Sequence, residues 1–186
     1  MPHAYRRSQA GSILAAILLL SPLACAAQGG APGWDIEIDP TAYAMHGYSA
    51  PLGYLTGPLR IDLGAYGTDI PHWLHGNDGF HPRARGYGIK VQYFFSDVDQ
   101  GWFGGAGISR DKTRIMADDS GPQANQSSNS VGAETGYRFA LGHGFHLTAW
   151  GGFDYLLTAR DVNLGARTYD HRHVQPFAAL HLGYRF

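Results

Sequence analysis

The chain has 186 residues, of which 44% are hydrophobic, 13% aromatic and only 16% charged, with 26 glycines. So much apolar and aromatic content excludes a disordered chain, and so little charge sets it apart from an average globular domain. The formal net charge of −1 leaves no strong field to gather nucleic acid, which is not expected as a partner.

In chain order, Arg6 and Arg7 come first, followed by the apolar run "GSILAAILLL" and then "SPLACAAQGG". A short basic region, a short apolar run and small residues at a cut site read as a secretory signal peptide. We assign it to residues 1–27, with cleavage after Ala26 or Ala27, export through the Sec pathway, and residues 28–186 as one domain. The run is too short for an ordinary spanning helix, and an uncleaved anchor is the alternative reading. Cys25 is the only cysteine, and Pro22 stands where a lipoprotein signal would place leucine. Without its leader the chain has no thiol chemistry.

Beyond the leader, what recurs is a period of two, the mark of strands whose faces meet different surroundings. Leu59, Ile61, Leu63 and Ala65 alternate with Arg60, Asp62 and Gly64. Tyr87, Ile89, Val91, Tyr93 and Phe95 alternate with Gly88, Lys90, Gln92 and Phe94. The same holds for Val131 to Phe139, for Phe145 to Tyr155, and for the closing "AALHLGYRF". Strands are expected at 58–69, 85–96, 101–116, 127–139, 144–159 and the C-terminus. "WDIEI" and "GYSAPLGYL" supply two more and make eight. Between those two, Asp39 as N-cap, Pro40 and a stop at Gly47 allow a short helix, and an irregular loop fits as well.

A soluble sandwich would turn the apolar face inward, whereas a membrane barrel turns it to lipid and lines a lumen with the polar face. The barrel fits better. The strands are long enough to cross a bilayer when tilted. Their polar face mixes glycines with charges of both signs, and aromatics gather near strand ends as an interfacial girdle does. With Phe186 at the periplasmic end, short turns ("DVDQG", "LGHG") alternate with long polar segments ("IPHWLHGNDGFHPRA", "ADDSGPQANQSS", 160–171), each kind on its own side. The expected fold is all-β: an eight-stranded antiparallel up-and-down transmembrane β-barrel with at most one short N-terminal helix.

The leader, the alternating strands and the terminal "LHLGYRF" resemble small eight-stranded outer-membrane β-barrel proteins of Gram-negative bacteria, of the OmpA membrane-domain, OmpX and OmpW type. The resemblance rests on pattern and covers most of the chain beyond the leader. It implies an outer-membrane location, contact with outer-membrane lipid and lipopolysaccharide, and a monomer. It also implies recognition of the last strand by the barrel-assembly machinery, through Leu182, Tyr184 and Phe186.

Candidate chemistry lies in two places. The lumen face offers Arg60, Asp62, Lys90, Gln92, Glu134, Arg138, His146, Asp154, His181 and Arg185. His146 or His181 would serve as a general base if Glu134 or Asp154 oriented it. A plug of mutually neutralising groups fits a narrow lumen better. The loops hold His72, His75 and His81, and beside Asp170 stand His171 and His173. Imidazoles ligate zinc, copper or nickel, but no spacing here matches a closed metal motif. His72, His75, His171 and His173 are therefore only weak ligand candidates, and no metal or other cofactor is expected.

A lipid A-modifying enzyme would need a serine beside a histidine. Ser109, the pair His146 and Thr148, and the set His72, Asp78 and Ser120 are the available fragments. The glycines of "GWFGGAGISR" lack the strand-to-helix context and the Lys-Ser/Thr pair of a phosphate loop. Arg110, Lys112 and Arg114 share one face near the outer end, placed to meet lipopolysaccharide phosphates. The expected function is non-enzymatic: structural, adhesive or ligand-binding through extracellular loops. The alternatives are a lipid A-modifying enzyme and a narrow, porin-like pore for small solutes.

Overall fold

The computed structural model describes residues 31–118 and 121–186; the leader and its cleavage site lie outside them. The barrel strands are β1 (Gly33–Ile38), β2 (Tyr48–Thr56), β3 (Leu59–Asp69), β4 (Arg83–Phe94), β5 (Gly101–Met116), β6 (Gln123–Gly142), β7 (Phe145–Leu156) and β10 (Val174–Arg185). Strands β8 (Val162–Leu164) and β9 (Arg167–Tyr169) form a separate hairpin. The eight long strands close in the order β1-β10-β7-β6-β5-β4-β3-β2, so the expected eight-stranded antiparallel barrel is the architecture found. The seam joins the two ends of the sheet: Ile38 faces Leu182 and Asp35 faces Arg185. Phe186 N–H donates to the Trp34 carbonyl at 2.9 Å and Trp34 N–H to the Phe186 carbonyl at 3.2 Å. Closure leaves no unpaired edge.

Alternation decides what each face meets. Ile61, Leu63, Ile89, Val91, Ile108, Leu180 and Leu182 point outward and are exposed. Among the largest fully buried side chains are Arg60 and Arg138, together with Phe94, Phe103 and Leu55. A sheet closed on itself with its apolar side outward suits lipid, since water would not tolerate so continuous a hydrophobic surface. Trp34, Tyr93, Phe95, Trp102, Phe139, Phe145, Tyr184 and Phe186 ring the terminus end, where β1 starts and β10 finishes, and Tyr48, Tyr87, Phe153 and Tyr155 lie toward the other. No described helix is long and apolar enough to cross a membrane; the strands do the crossing.

The terminus end carries short turns at 57–58, 95–100 and 143–144, and the opposite end carries the longer segments. Residues Pro40–Ala44 form α1: Asp39 Oδ1 accepts the Thr41 N–H at 2.8 Å, and Pro40 opens the first turn. The helix, not the irregular loop, is therefore the outcome there.

Three expectations about the loops change. Half of the polar stretch expected as a long loop at 117–128 is strand: β6 begins at Gln123, which pairs with Met116. Above the lipid both faces meet polar surroundings, so hydropathy there carries no period. Within 70–84 a short helix, α2 (His72–His75), forms and ends on Gly76 at φ 69°. Within 160–171, β8 and β9 turn around Gly165 at φ 68°. Phe80, Ile115, Ala117, Leu164 and Tyr169 bury one another in a small core of their own. The loop end is thus a built cap.

Candidate functional site

The terminus-side half of the lumen is filled. Arg60 donates through Nε to both oxygens of Asp35 (3.0 and 2.9 Å) and through Nη1 to Asp62 (2.7 Å) and Gln92 (3.1 Å). Its Nη2 reaches Asp35 at 2.8 Å and Glu37 at 3.2 Å. Arg138 donates to Glu37 at 3.0 Å and lies 3.1 Å from Asp35. Glu37 also takes Thr148 Oγ1 at 3.2 Å, His146 Nε2 at 3.0 Å and His181 Nδ1 at 3.0 Å. One Glu37 carboxylate therefore collects five side chains from four other strands. Beneath it Leu55, Phe94, Val98 and Phe103 pack into an apolar stopper, and the Arg138 guanidinium sits 5.1 Å from the Phe94 ring centre.

Of the lumen residues expected from sequence, Arg60, Asp62, Arg138, His146 and His181 lie in this network. Its centre, Asp35 and Glu37, is the part that sequence reading missed. The signal was there: both acids occupy the polar phase of "WDIEI", between Trp34, Ile36 and Ile38. His146 and His181 are oriented by Glu37, not by Glu134 or Asp154. Arg185 stands apart at the rim, where it pairs with Asp99 and the Ala31 carbonyl. Asp35, Glu37 and His146 bring ligand atoms within 4.8 Å of one another. Those oxygens already accept from two guanidinium groups, whose charge opposes a metal ion, so the residues do not fit one.

Above the plug the lumen opens into a cup of about 380 Å3. Strand register explains why. Around one level run Leu55, Arg60, Gln92, Gly105, Glu134, Gly152 and Phe177, mostly large. Two residues higher along the strands run Asp62, Lys90, Gly107, Gly132 and Asp154. Two higher again come Pro51, Gly64, Gly88, Ser109 and Ser130. Small residues on successive inward positions leave the space. On its floor, Lys90 Nζ lies 3.9 Å over the Trp150 ring and 3.8 Å from both Asp62 and Glu134. Gln92 bridges to Glu134 at 2.6 Å, so floor and plug form one network. Asp154 completes the wall.

The four weak metal candidates have other partners. His72 pairs with Asp78 at 2.8 Å, and the His75 ring accepts the Asn77 N–H at 3.1 Å. His171 meets the Tyr169 ring edge-on, and His173 stacks on Tyr155 and bonds the Leu156 carbonyl at 3.0 Å. His171 and His173 lie just before β10. Burial pushes the His75 and His171 imidazoles below the usual range and the Tyr169 phenol up to about 12.

The serine fragments part in the same way. Ser109 bonds Asp111 at 2.9 Å, Ser130 at 2.7 Å and Tyr66 at 3.2 Å, all within the cup. His146 and Thr148 are both spent on Glu37. His72 and Asp78 stand together on the exposed loop, and Ser120 lies outside the described residues.

Outside the barrel, Arg110, Lys112 and Arg114 share the outward face of β5, and register sets Arg83 against Arg114 and Arg85 against Lys112. All five are exposed; Arg110 stands beside Tyr87, and the other four lie above it and above Ile89 and Ile108. Arg83 pairs with Asp69 at 3.0 Å and Arg114 with Gln123 at 2.9 Å.

No protein-family model and no curated relative matches the sequence. Among solved structures, Neisserial surface protein A (NspA) aligns with a TM-score of 0.51 at 16% identity, over 83% of this chain and 92% of that one. A major outer membrane protein from Thermus thermophilus aligns with a TM-score of 0.54 at 13% identity, over 84% of this chain and 100% of that one. At these identities the likeness is one of fold: the chain shares the small antiparallel β-barrel of these outer-membrane proteins.

Proposed function

We propose that this chain is a closed, non-enzymatic barrel of the outer membrane, monomeric, whose working end is the loop side, where the cup receives a ligand. The observation that carries this reading is the unequal filling of the lumen. Arg60, Arg138, Asp35 and Glu37 with the Phe94 and Phe103 stopper occupy the terminus side, while the loop side keeps about 380 Å3. A pore needs a continuous wet path, and here two guanidinium groups and four apolar side chains stand across it. An acyl-transfer enzyme needs a nucleophile beside a base, and Ser109 touches two hydroxyls and a carboxylate instead.

The outward cations of β4 and β5 support lipopolysaccharide phosphate as the neighbour on that side, and Leu182, Tyr184 and Phe186 carry the alternation that barrel assembly would read. Adhesion through the loops is the second reading, favoured by the small core that holds them rigid. Two measurements test the proposal. Purified protein in planar bilayers is expected to show no conductance steps, and lipid A mass spectra are expected to match with and without the gene. Stepwise openings would return the pore, and a changed acyl pattern the enzyme.

A further inference from the structure

We propose that the cup is a binding site for a small organic cation with a short apolar body, such as an aliphatic diamine. This rests on the reading above, in which the cup is the working end. Volume is the first observation. A lumen that needed only to be sealed would carry large side chains throughout, as its lower levels do. Here Gly64, Gly88, Gly107, Gly132, Ser109 and Ser130 hold the next two levels open.

Charge is the second. Asp39, Asp62, Asp69, Asp111, Glu134 and Asp154 line the cup, against Lys90 at its floor and Arg172, which bonds the Leu74 carbonyl. Asp62 is neutralised from below by Arg60, and Lys90 is shared between Asp62 and Glu134 at 3.8 Å from each, beyond hydrogen-bonding distance. Asp111 accepts only from the hydroxyls of Tyr66 and Ser109, and Asp154 has no ion pair or hydrogen bond among the described residues. Its charged surroundings are Asp111, Glu134 and Lys90, two of the three carrying its own sign. The wall is thus short of positive charge, and a half-buried carboxylate without a partner is costly.

The third observation is independent of the charge count. Asp62, with its side chain 1% exposed, lines the cup with an Oδ1 that accepts no hydrogen bond. Native interiors rarely leave such atoms bare. An ammonium group donates up to three hydrogen bonds; Asp62 on β3 and Asp154 on β7 stand on opposite walls of the eight-stranded barrel, so the two ends of a diamine would meet one carboxylate each. The remaining lining is apolar or aromatic (Met45, Ile70, Leu156, Tyr169 and Phe177) and suits a methylene chain. The same carboxylates repel an anion of equal size, which makes the site selective by charge.

Calorimetric titration of the full barrel in non-ionic detergent with putrescine, butanediol and succinate separates the possibilities, because the three share a four-carbon body and differ in charge. Heat of binding is expected from putrescine alone. Asp154→Asn is expected to weaken it by about tenfold or more, while Asp154→Glu, which keeps the charge, holds it within a few-fold. No binding of putrescine, equal binding of butanediol or succinate, or an unchanged affinity in Asp154→Asn would overturn the proposal. The comparison among probes needs only the wild-type protein, so it decides even if a variant fails to fold. A barrel that is electrically silent but ignores putrescine refutes the ligand class alone; a conducting barrel refutes the reading beneath it.

Discussion

Glu37 holds five side chains that come from β3, β6, β7 and β10, two of them from β7, and so ties both sides of the seam to the far wall. Removing one member of a buried charge network leaves the others unpaired, which costs about 3–5 kcal/mol. Glu37→Ala should therefore destabilise the detergent-folded barrel by that amount in urea titration. The rim pair of Arg185 and Asp99, whose carboxylate is half open to water, should cost less, about 1 kcal/mol, when Arg185 becomes alanine. In sequence the two arginines Arg60 and Arg185 look alike, each on the polar phase of its strand. Phase tells a residue which way to point, but depth along the strand decides whether it is sealed in or wetted, and depth depends on the register of all eight strands. For the same reason the polar phase of "WDIEI" points Asp35 and Glu37 inward but gives no sign that they form the hub. His75 carries a second residue-level expectation. Burial, helped by His72, Arg172 and His81 and opposed by Asp78, holds its folded pKa below the ordinary value. A lowered histidine pKa means the folded cap prefers the neutral ring. Its contribution is whole above about pH 6.5 and is lost progressively as pH falls from there toward the depressed folded value. The His75 ring signals in an NMR titration should turn over below about 6.5; a midpoint at or above that contradicts the burial argument.

At the level of elements, β4 and β5 set like charges opposite one another, Arg85 to Lys112 and Arg83 to Arg114. Directly opposed like charges weaken a sheet unless something neutralises them, and these stand just above the apolar belt, where phosphates of an anionic lipid would lie. Glutamate at Arg85, Arg110 and Lys112 together should strip co-purifying lipopolysaccharide from the barrel, and full retention would remove that contact. The cap depends on Asn77, which donates to the Asp170 carbonyl at 3.1 Å and accepts its N–H at 2.8 Å, clasping the α2 loop to the end of β9. Asn77→Ala leaves both backbone groups without that partner, at about 1–3 kcal/mol, and trypsin should then cut at Arg167 or Arg172 several-fold faster while the strands stay protected. The membrane-crossing strands were legible because lipid and lumen impose opposite demands on alternate residues. The β8–β9 hairpin, α2 and the extension of β6 were not, because above the membrane water replaces lipid and the period of two fades. Tyr169, Phe80 and Ile115 gave no sign in sequence that they would meet, since their cluster is assembled from segments far apart along the chain.

The molecule as a whole has two unlike ends. Even strand count puts the start of β1 and the end of β10 on one side, and that side is sealed by Arg60, Arg138 and Glu37 above an apolar stopper. The other side opens into a cup beneath a packed cap. Accessibility of a single cysteine from outside intact cells reads location, orientation and closure together. Ser109→Cys in the cup should react with a small membrane-impermeant methanethiosulfonate, Thr148→Cys in the plug should stay unmodified until the barrel is unfolded, and the unsubstituted protein should not react. Modification of Thr148→Cys in intact cells as fast as Ser109→Cys, or of Ser109→Cys only after lysis, would contradict a barrel closed toward its termini and open outward.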